Sequence, residues 1–327
     1  MPRETESTEP DGSSAPPERP LVSIVLPVLN EEALLGRCLG SVAEQTYPAI
    51  VQVVVADGGS TDRTRTEAAK FAKVIVVDNP RRIRPAGLNA AIAASTGEII
   101  VRVDARTKLA PDYVERCVEA LARSQAAIVG GQMRYEAHSA AQRGIVAAMT
   151  SRFGAGPAAF RREGGEPRFV DTVYLGAFRA STIHEIGGYD EWSGGNEDAE
   201  LAWRAQQFGG VYLDPSIKSV YLGREGLNAL ARQFYRYGRN RARTIRKHPS
   251  SLSYRQLAVP ALFAGLVSPW RQEVLAAYAT VILGRGALEL TRDPAAVPSL
   301  LAAFPTMHAA WGLGFMRGIL GPSGTRE

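Results

Sequence analysis

The chain has 327 residues, 45% of them hydrophobic and 22% charged. That balance supports one large domain or two modest ones and excludes a wholly disordered polymer. The net charge of +5 favours anionic partners, while Cys38 and Cys117, lacking a CxxC partner or a nearby histidine cluster, read as reduced core thiols of a cytosolic protein.

Residues 1–20 (MPRETESTEPDGSSAPPERP) are rich in Pro, Glu, Ser and Thr and lack an apolar core. They are expected to be a disordered tail and not a signal peptide, with order beginning at Leu21. Strands and helices then alternate. Val22–Val28 is a β-rich run, and 31–45 has helical spacing through Leu34, Leu35, Cys38, Leu39 and Val42. Strands are expected at 51–56, 74–77, 98–103 and 127–131, and helices at about 60–71, 85–96 and 111–123. This rhythm predicts an α/β fold with a mostly parallel sheet. In such sheets ligands bind beyond the carboxyl ends of the strands. Three polar clusters fall there: Asn30-Glu31-Glu32, Asp57, and Asp104-Ala105-Arg106.

From Phe169 the pattern changes. A strand is expected over 170–175, a short helix over 183–186, a helix over 196–208, strands at 211–213 and 217–222, and a long basic helix over 226–247. Beyond it lie uncharged runs at 257–270, 274–284 and 294–316. The last is long enough for a membrane core of about 30 Å, although Pro298, Pro305, Gly312 and Gly314 interrupt it. Two readings stand for this region: a helical cap, or one or two short membrane-embedded or re-entrant helices.

Six stretches occur in a telling order: PVLNEE (27–32), VVADGGSTDRT (54–64), RIRPAGLNAAIAASTGEIIVRVDA (82–105), DTVYLGAFR (171–179), IGGYDE (186–191) and NEDAELAWR (196–204). Together they resemble a family 2 glycosyltransferase of GT-A fold, nearest to the succinoglycan-biosynthesis (ExoA-like) branch. The resemblance covers about residues 20–250 and carries into the C-terminal region. It divides the chain into a tail (1–20), a GT-A domain (21–250, with a nucleotide half 21–135 and a catalytic half 136–250) and an apolar helical, membrane-associated region (251–327).

The chemistry suits the residue types. The Asp57 carboxylate can accept the N3–H of a uracil, and Asn30 and Glu31, beside Pro27, can meet ribose hydroxyls; the resemblance implies the same nucleotide roles. Asp57 also suits a plain turn before Gly58-Gly59. Arg84 and Asn89 are candidates for base or phosphate. Inverting transfer needs a base for the acceptor hydroxyl, and a carboxylate suffices. The resemblance makes Asp198 that base, with Glu197 orienting it or binding acceptor. Tyr189, Trp192 and Tyr174 are further acceptor candidates.

In VRVDAR (101–106), Arg106 stands where many relatives place a second metal-binding carboxylate. A guanidinium cannot ligate a cation. Either Asp104 retains Mg²⁺ or Mn²⁺ with the help of the diphosphate, or Arg106 grips a phosphate itself. Gln233-x-x-Arg236-Tyr237 is similar to the Gln-x-x-Arg-Trp element of membrane-linked family members, which closes over the diphosphate. Arginines interleaved with aromatics along 229–249 also suit nucleic acid, but no nucleic-acid fold motif accompanies them.

The expected activity is therefore inverting transfer of a hexose, glucose by the resemblance, from a UDP-sugar to a polyprenyl-linked saccharide in exopolysaccharide assembly. The place is the cytoplasmic face of the membrane, with lipid and no nucleic acid as partner. The alternative is a non-catalytic GT-A subunit. A nucleotidyltransferase needs a Gly-rich, Lys-containing phosphate loop after the first strand, and PVLNEE lacks one.

Overall fold

The computed structural model describes residues 19–154, 158–162, 164–192, 195–223, 226–252 and 254–321. Most of the expected tail therefore lies outside the described residues. The first half alternates as anticipated: β1 (Val22–Val28), α1 (Glu32–Ala43), β2 (Ile50–Asp57), α2 (Thr64–Ala68), β3 (Val74–Asp78), α3 (Arg84–Ala93), β4 (Ile99–Arg102), β5 (Thr107–Leu109), α4 (Tyr113–Ser124) and β6 (Ile128–Glu136). The second half holds α5 (Ala140–Thr150), β7 (Arg168–Val170), β8 (Tyr174–Arg179), α6 (Ala180–Ile186), α7 (Glu197–Ala205), β9 (Val211–Leu222) and α8 (Gly226–Lys247). The chain then runs through α9 (Ala258–Leu266), α10 (Arg271–Leu290) and α11 (Val297–Leu320).

All nine strands among the described residues join one sheet, with the path β3-β2-β1-β4-β8-β6-β9-β5 and β7 on β9. Only the β3-β2-β1-β4 side is uniformly parallel. Strand β8 runs against both β4 and β6, so the sheet is mixed where a mostly parallel one was expected. Strands β1 and β2 read as near-continuous apolar runs because both faces of the sheet are covered. On one face, Leu35, Cys38 and Leu39 of α1 pack with Tyr113, Cys117 and Leu121 of α4. On the other, Leu88, Ala91 and Ile92 of α3 pack with Ile183, Leu201 and Ala202 of α6 and α7. Both cysteines are free and buried, and burial pushes both thiols up.

A third core is built from helices, with Tyr135 of β6 packed against it. Ile145 and Met149 of α5, Leu230 and Phe234 of α8, and Leu300, Phe304 and Met307 of α11 close on one another. The α8–α11 crossing is close enough for backbone contact. A Cβ on Gly238 would strike the Trp311 carbonyl, and one on Gly314 would strike the Tyr235 carbonyl. Among the described residues no helix is long and apolar enough to cross a membrane. The long uncharged run at 294–316, expected to be long enough to span, instead gives α11 a face that it buries against α5 and α8. The α9–α10 hairpin keeps an outward apolar surface: in the turn between the helices Val267 is 88% exposed and Trp270 68%, and on α10 Leu283 is 61% exposed.

Candidate active site

The carboxyl edge of the sheet opens into a cleft of about 1510 Å³. Its lining comes from the end of β1 and the loop after it (Pro27, Glu31), the start of α3 (Arg84), the turn after β4 (Asp104, Arg106), the start of α7 (Glu197, Asp198) and α8 (Gln233, Arg236, Tyr237). Segments far apart in the chain meet here because strand ends and helix starts share one edge.

At its floor is a residue the motif analysis passed over. Arg102, the last residue of β4, is only 1% exposed. Its guanidinium meets three carboxylates: Asp104 Oδ1 at 3.3 Å, Glu197 Oε1 at 3.6 Å, and Asp198 in direct contact. It lies over the Tyr189 ring at 5.6 Å. Burial opposes its charge, but Asp104, Tyr189 and Glu197 together push it above the ordinary arginine value. Asp104 shows the converse balance. Burial would raise its carboxyl, but Arg102 and Arg84 hold it below the usual range. Arg84 reaches Glu197 at 3.5 Å. Asp104 pushes it upward against desolvation, with Glu197 adding. A buried charge is tolerable only when paired, and this network pairs each one.

Arg106 lies 3.8 Å from Glu31 on the cleft wall. Asp104 shares its arginines with Glu197 and Asp198, and no cluster of three or more His, Cys, Asp or Glu suited to a metal occurs among the described residues. That set fits a cation held chiefly by substrate phosphates, the usual habit of Mg²⁺, which takes one or two protein carboxylates. It does not make an all-protein metal cage.

Several other expected site residues take part in hydrogen-bonded frameworks beside the cleft. Asp57 has no exposed side-chain surface and accepts from Ser60 N at 3.1 Å, Ser60 Oγ at 2.5 Å and Arg65 Nε at 2.6 Å. Burial would raise its carboxyl, but Ser60 and Arg65 outweigh it and hold it low. Asn30, at φ 53°, accepts from Thr61 N at 2.9 Å and gives its own N–H to Ser60 Oγ. The two residues brace the β1 and β2 loops against each other and are not among the residues lining the cleft. Asn89, expected at base or phosphate, clamps Tyr189 instead: its amide donates to the Tyr189 carbonyl and accepts from the Tyr189 N–H, both at 2.8 Å. Tyr189, expected at the acceptor, is 3% exposed and forms the bed beneath Arg102. Trp192 is exposed, outside the cleft lining. Tyr174 does line the cleft, its hydroxyl 2.6 Å from Thr107 Oγ1.

The family model for Glycosyl transferase family 2 matches residues 23–181. The succinoglycan biosynthesis protein ExoA of Rhizobium meliloti (strain 1021) is 32% identical over 312 residues, covering 91% of this chain and 94% of that protein. The chain belongs to glycosyltransferase family 2. Also similar, at 24% identity over 242 residues, is a Methanococcus voltae dolichyl N-acetyl-alpha-D-glucosaminyl phosphate 3-beta-D-2,3-diacetamido-2,3-dideoxy-beta-D-glucuronosyltransferase, with 69% of this chain and 74% of that one covered. Among solved structures, the Pyrobaculum calidifontis mannosyltransferase PcManGT, in complex with GDP-Man and Mn²⁺, superposes with TM-score 0.61 at 20% identity, covering 93% of this chain and 88% of that one. S. aureus TarS 1–349 with UDP-GlcNAc gives TM-score 0.52 at 15% identity, covering 91% of each chain. At those identities the structural likeness speaks to the fold: a GT-A-like sheet with flanking helices. This family 2 transferase thus has its carboxylates and guanidinium groups gathered at one sheet edge.

Proposed function

We propose that this transferase moves a hexose from a UDP-sugar to a lipid-linked saccharide with inversion, during polysaccharide assembly at the cytoplasmic face of a membrane. The observation that carries the reading is Asp198, placed at the start of α7 in the cleft, 35% exposed and fixed by Arg102. It supplies the base. The acceptor hydroxyl gives its proton to the Asp198 carboxylate as its oxygen attacks the anomeric carbon. The bond from that carbon to the diphosphate breaks, and the nucleoside diphosphate leaves with the electron pair. Arg84, Arg106 and Arg236 line the wall where that negative charge would grow, and fixed cations stabilise it most in a water-poor site. A divalent cation arriving with the diphosphate would take Asp104 as its protein ligand and neutralise part of the same charge.

The role of ExoA in succinoglycan biosynthesis and the dolichyl phosphate-linked acceptor of the M. voltae transferase support a polysaccharide role and a lipid-linked acceptor. The exposed apolar face of α9 and α10 supports seating on lipid. Calorimetric titration with UDP-glucose and GDP-mannose, each with Mn²⁺ and then with EDTA, tests the reading. UDP-glucose is expected to bind at least about tenfold more tightly than GDP-mannose, and EDTA to weaken it by a similar factor. Equal affinities for the two donors would remove the UDP assignment. Indifference to EDTA would leave the arginines alone to hold the diphosphate.

A further inference from the structure

The cations of the cleft fall into two groups on either side of the start of α7. Arg84 and Arg106 lie with Asp104 and Glu31 on the sheet side. Arg161, Arg168 and Arg241 line the same cleft together with Asp171 and Ser251. The residues before Asp198 join the two groups: Glu197 pairs with Arg84 and Arg102, whereas Asn196 donates to Thr244 Oγ1 of α8 at 2.9 Å, one turn beyond Arg241. Asp198 itself also borders a small cavity with Thr172 and Val173, next in the chain to Asp171.

Arg241 and Ser251 form an incomplete pair. One Nη of Arg241 donates to the Ser251 carbonyl. The Ser251 side chain is nine-tenths buried, and neither its hydroxyl nor Arg241 Nε has a hydrogen-bond partner among the described residues. Burial pushes the Arg241 guanidinium below its ordinary value, with Asp171 opposing the shift. Buried donors without partners are costly. An anion rich in acceptor oxygens would satisfy both, and the planar guanidinium fork suits phosphate.

We propose that Arg241 and Ser251 form a second anion subsite, which holds a phosphate of the lipid-linked acceptor while its sugar lies at Asp198. The proposal rests on the transferase reading above and adds where the acceptor is anchored. The donor diphosphate occupies the Arg84–Asp104 side, and the acceptor phosphate the Arg241 side, with the base between them.

The test is calorimetry on the full chain, first with UDP and then with farnesyl diphosphate titrated into the UDP-saturated protein. Inorganic pyrophosphate and farnesol are run in parallel. Farnesyl diphosphate is expected to bind without displacing UDP, more tightly than pyrophosphate, and farnesol not to bind. Arg241→Gln should weaken farnesyl diphosphate by about tenfold or more, the scale of a lost charge-assisted hydrogen bond, and Ser251→Ala by a smaller factor. Both should leave UDP affinity within about twofold. Should Arg241→Gln fail to fold, Arg241→Lys and Ser251→Ala carry the test, with UDP affinity reporting the fold. Competition between UDP and farnesyl diphosphate would overturn the proposal, as would unchanged affinity in the variants. Pyrophosphate binding as tightly as farnesyl diphosphate would remove the lipid-linked acceptor. Failure of UDP to bind the parent protein would instead count against the transferase reading itself, with the farnesyl diphosphate arm still standing.

Discussion

The two walls of the cleft are built on different principles. On the sheet side Arg102, Asp104, Glu197, Asp198 and Arg84 neutralise one another over a few ångströms, with rings and strands behind them. On the helical side, α8 presents Arg239 and Arg241, and its support is a core of helices with Tyr135 of β6 packed against it. The first wall is a pre-organised charge constellation of the kind catalysis needs. The second is a cationic surface suited to collecting and holding an anion. The contrast teaches that chemistry and capture are assigned to separate layers of the molecule.

Substitutions on each wall should therefore have separable effects. Asp198→Asn removes the base from the first wall. Transfer should fall by about 10²–10⁴-fold, the usual worth of a general base, while UDP affinity stays unchanged in calorimetry. Retained transfer would break the distinction at its strongest point and remove Asp198 as the base. Arg102→Met takes from Asp104, Glu197 and Asp198 the counter-ion they share, leaving buried Glu197 with Arg84 alone, and chemical denaturation should show a loss of about 3–5 kcal/mol. It also removes the main influence holding the Asp104 carboxyl low, so burial then pushes that carboxyl up. In the parent, a carboxyl held low stabilises the fold above its usual value of 3.8, and that contribution is lost as pH falls through the depressed folded value. In Arg102→Met the acid limb of stability should accordingly move to higher pH.

On the second wall, Gly238→Ala forces a Cβ against the Trp311 carbonyl. The expected cost is about 1–3 kcal/mol of overpacking, read as a lower Tm, together with weaker binding of anionic lipid and little change in UDP affinity. The smallest effect should come from Trp270→Ala. Co-sedimentation with anionic vesicles should drop by about tenfold, the scale of one large apolar side chain leaving the interface, with Tm unmoved.

Much of the first wall was legible in the chain. Alternation of apolar runs with helical spacing located β1, β2, β3 and β4, and the loops after β1 and β4 carried Glu31, Asp104 and Arg106 into the cleft. Other features were not legible. Arg102 sits inside IIVRVD, where a charge reads as solvent-facing; its available signal was that a strand covered on both faces has no solvent side, so the arginine required counter-ions. Asn89, Asp57 and Tyr189 have the residue types of a binding site and also hold loops and a ring in place, a use that spacing does not reveal. The strand expected at 170–175 resolves into β7 and β8, ending at Val170 and beginning at Tyr174. Short β5 and helix α5 went unnoticed because each takes its order from tertiary partners: β5 from pairing with β9, and α5 from packing on α11. The apolar content of α11 was visible, but periodicity alone does not say whether lipid or protein covers it, and here α5 and α8 do so.

The glycine contacts between α8 and α11 have a mechanical meaning. Where side chains separate two helices, rotamer changes can absorb a displacement; where backbone rests on backbone, there is little left to yield. Gly238 on Trp311 and Gly314 on Tyr235 join α8 to α11 in that way. Phe263 of α9 rests on Gly312, and Leu301 of α11 on Gly286 of α10. The arginine-bearing helix is therefore locked to α11, whereas the outward hairpin touches α11 through the Phe263 and Leu301 side chains and keeps some give.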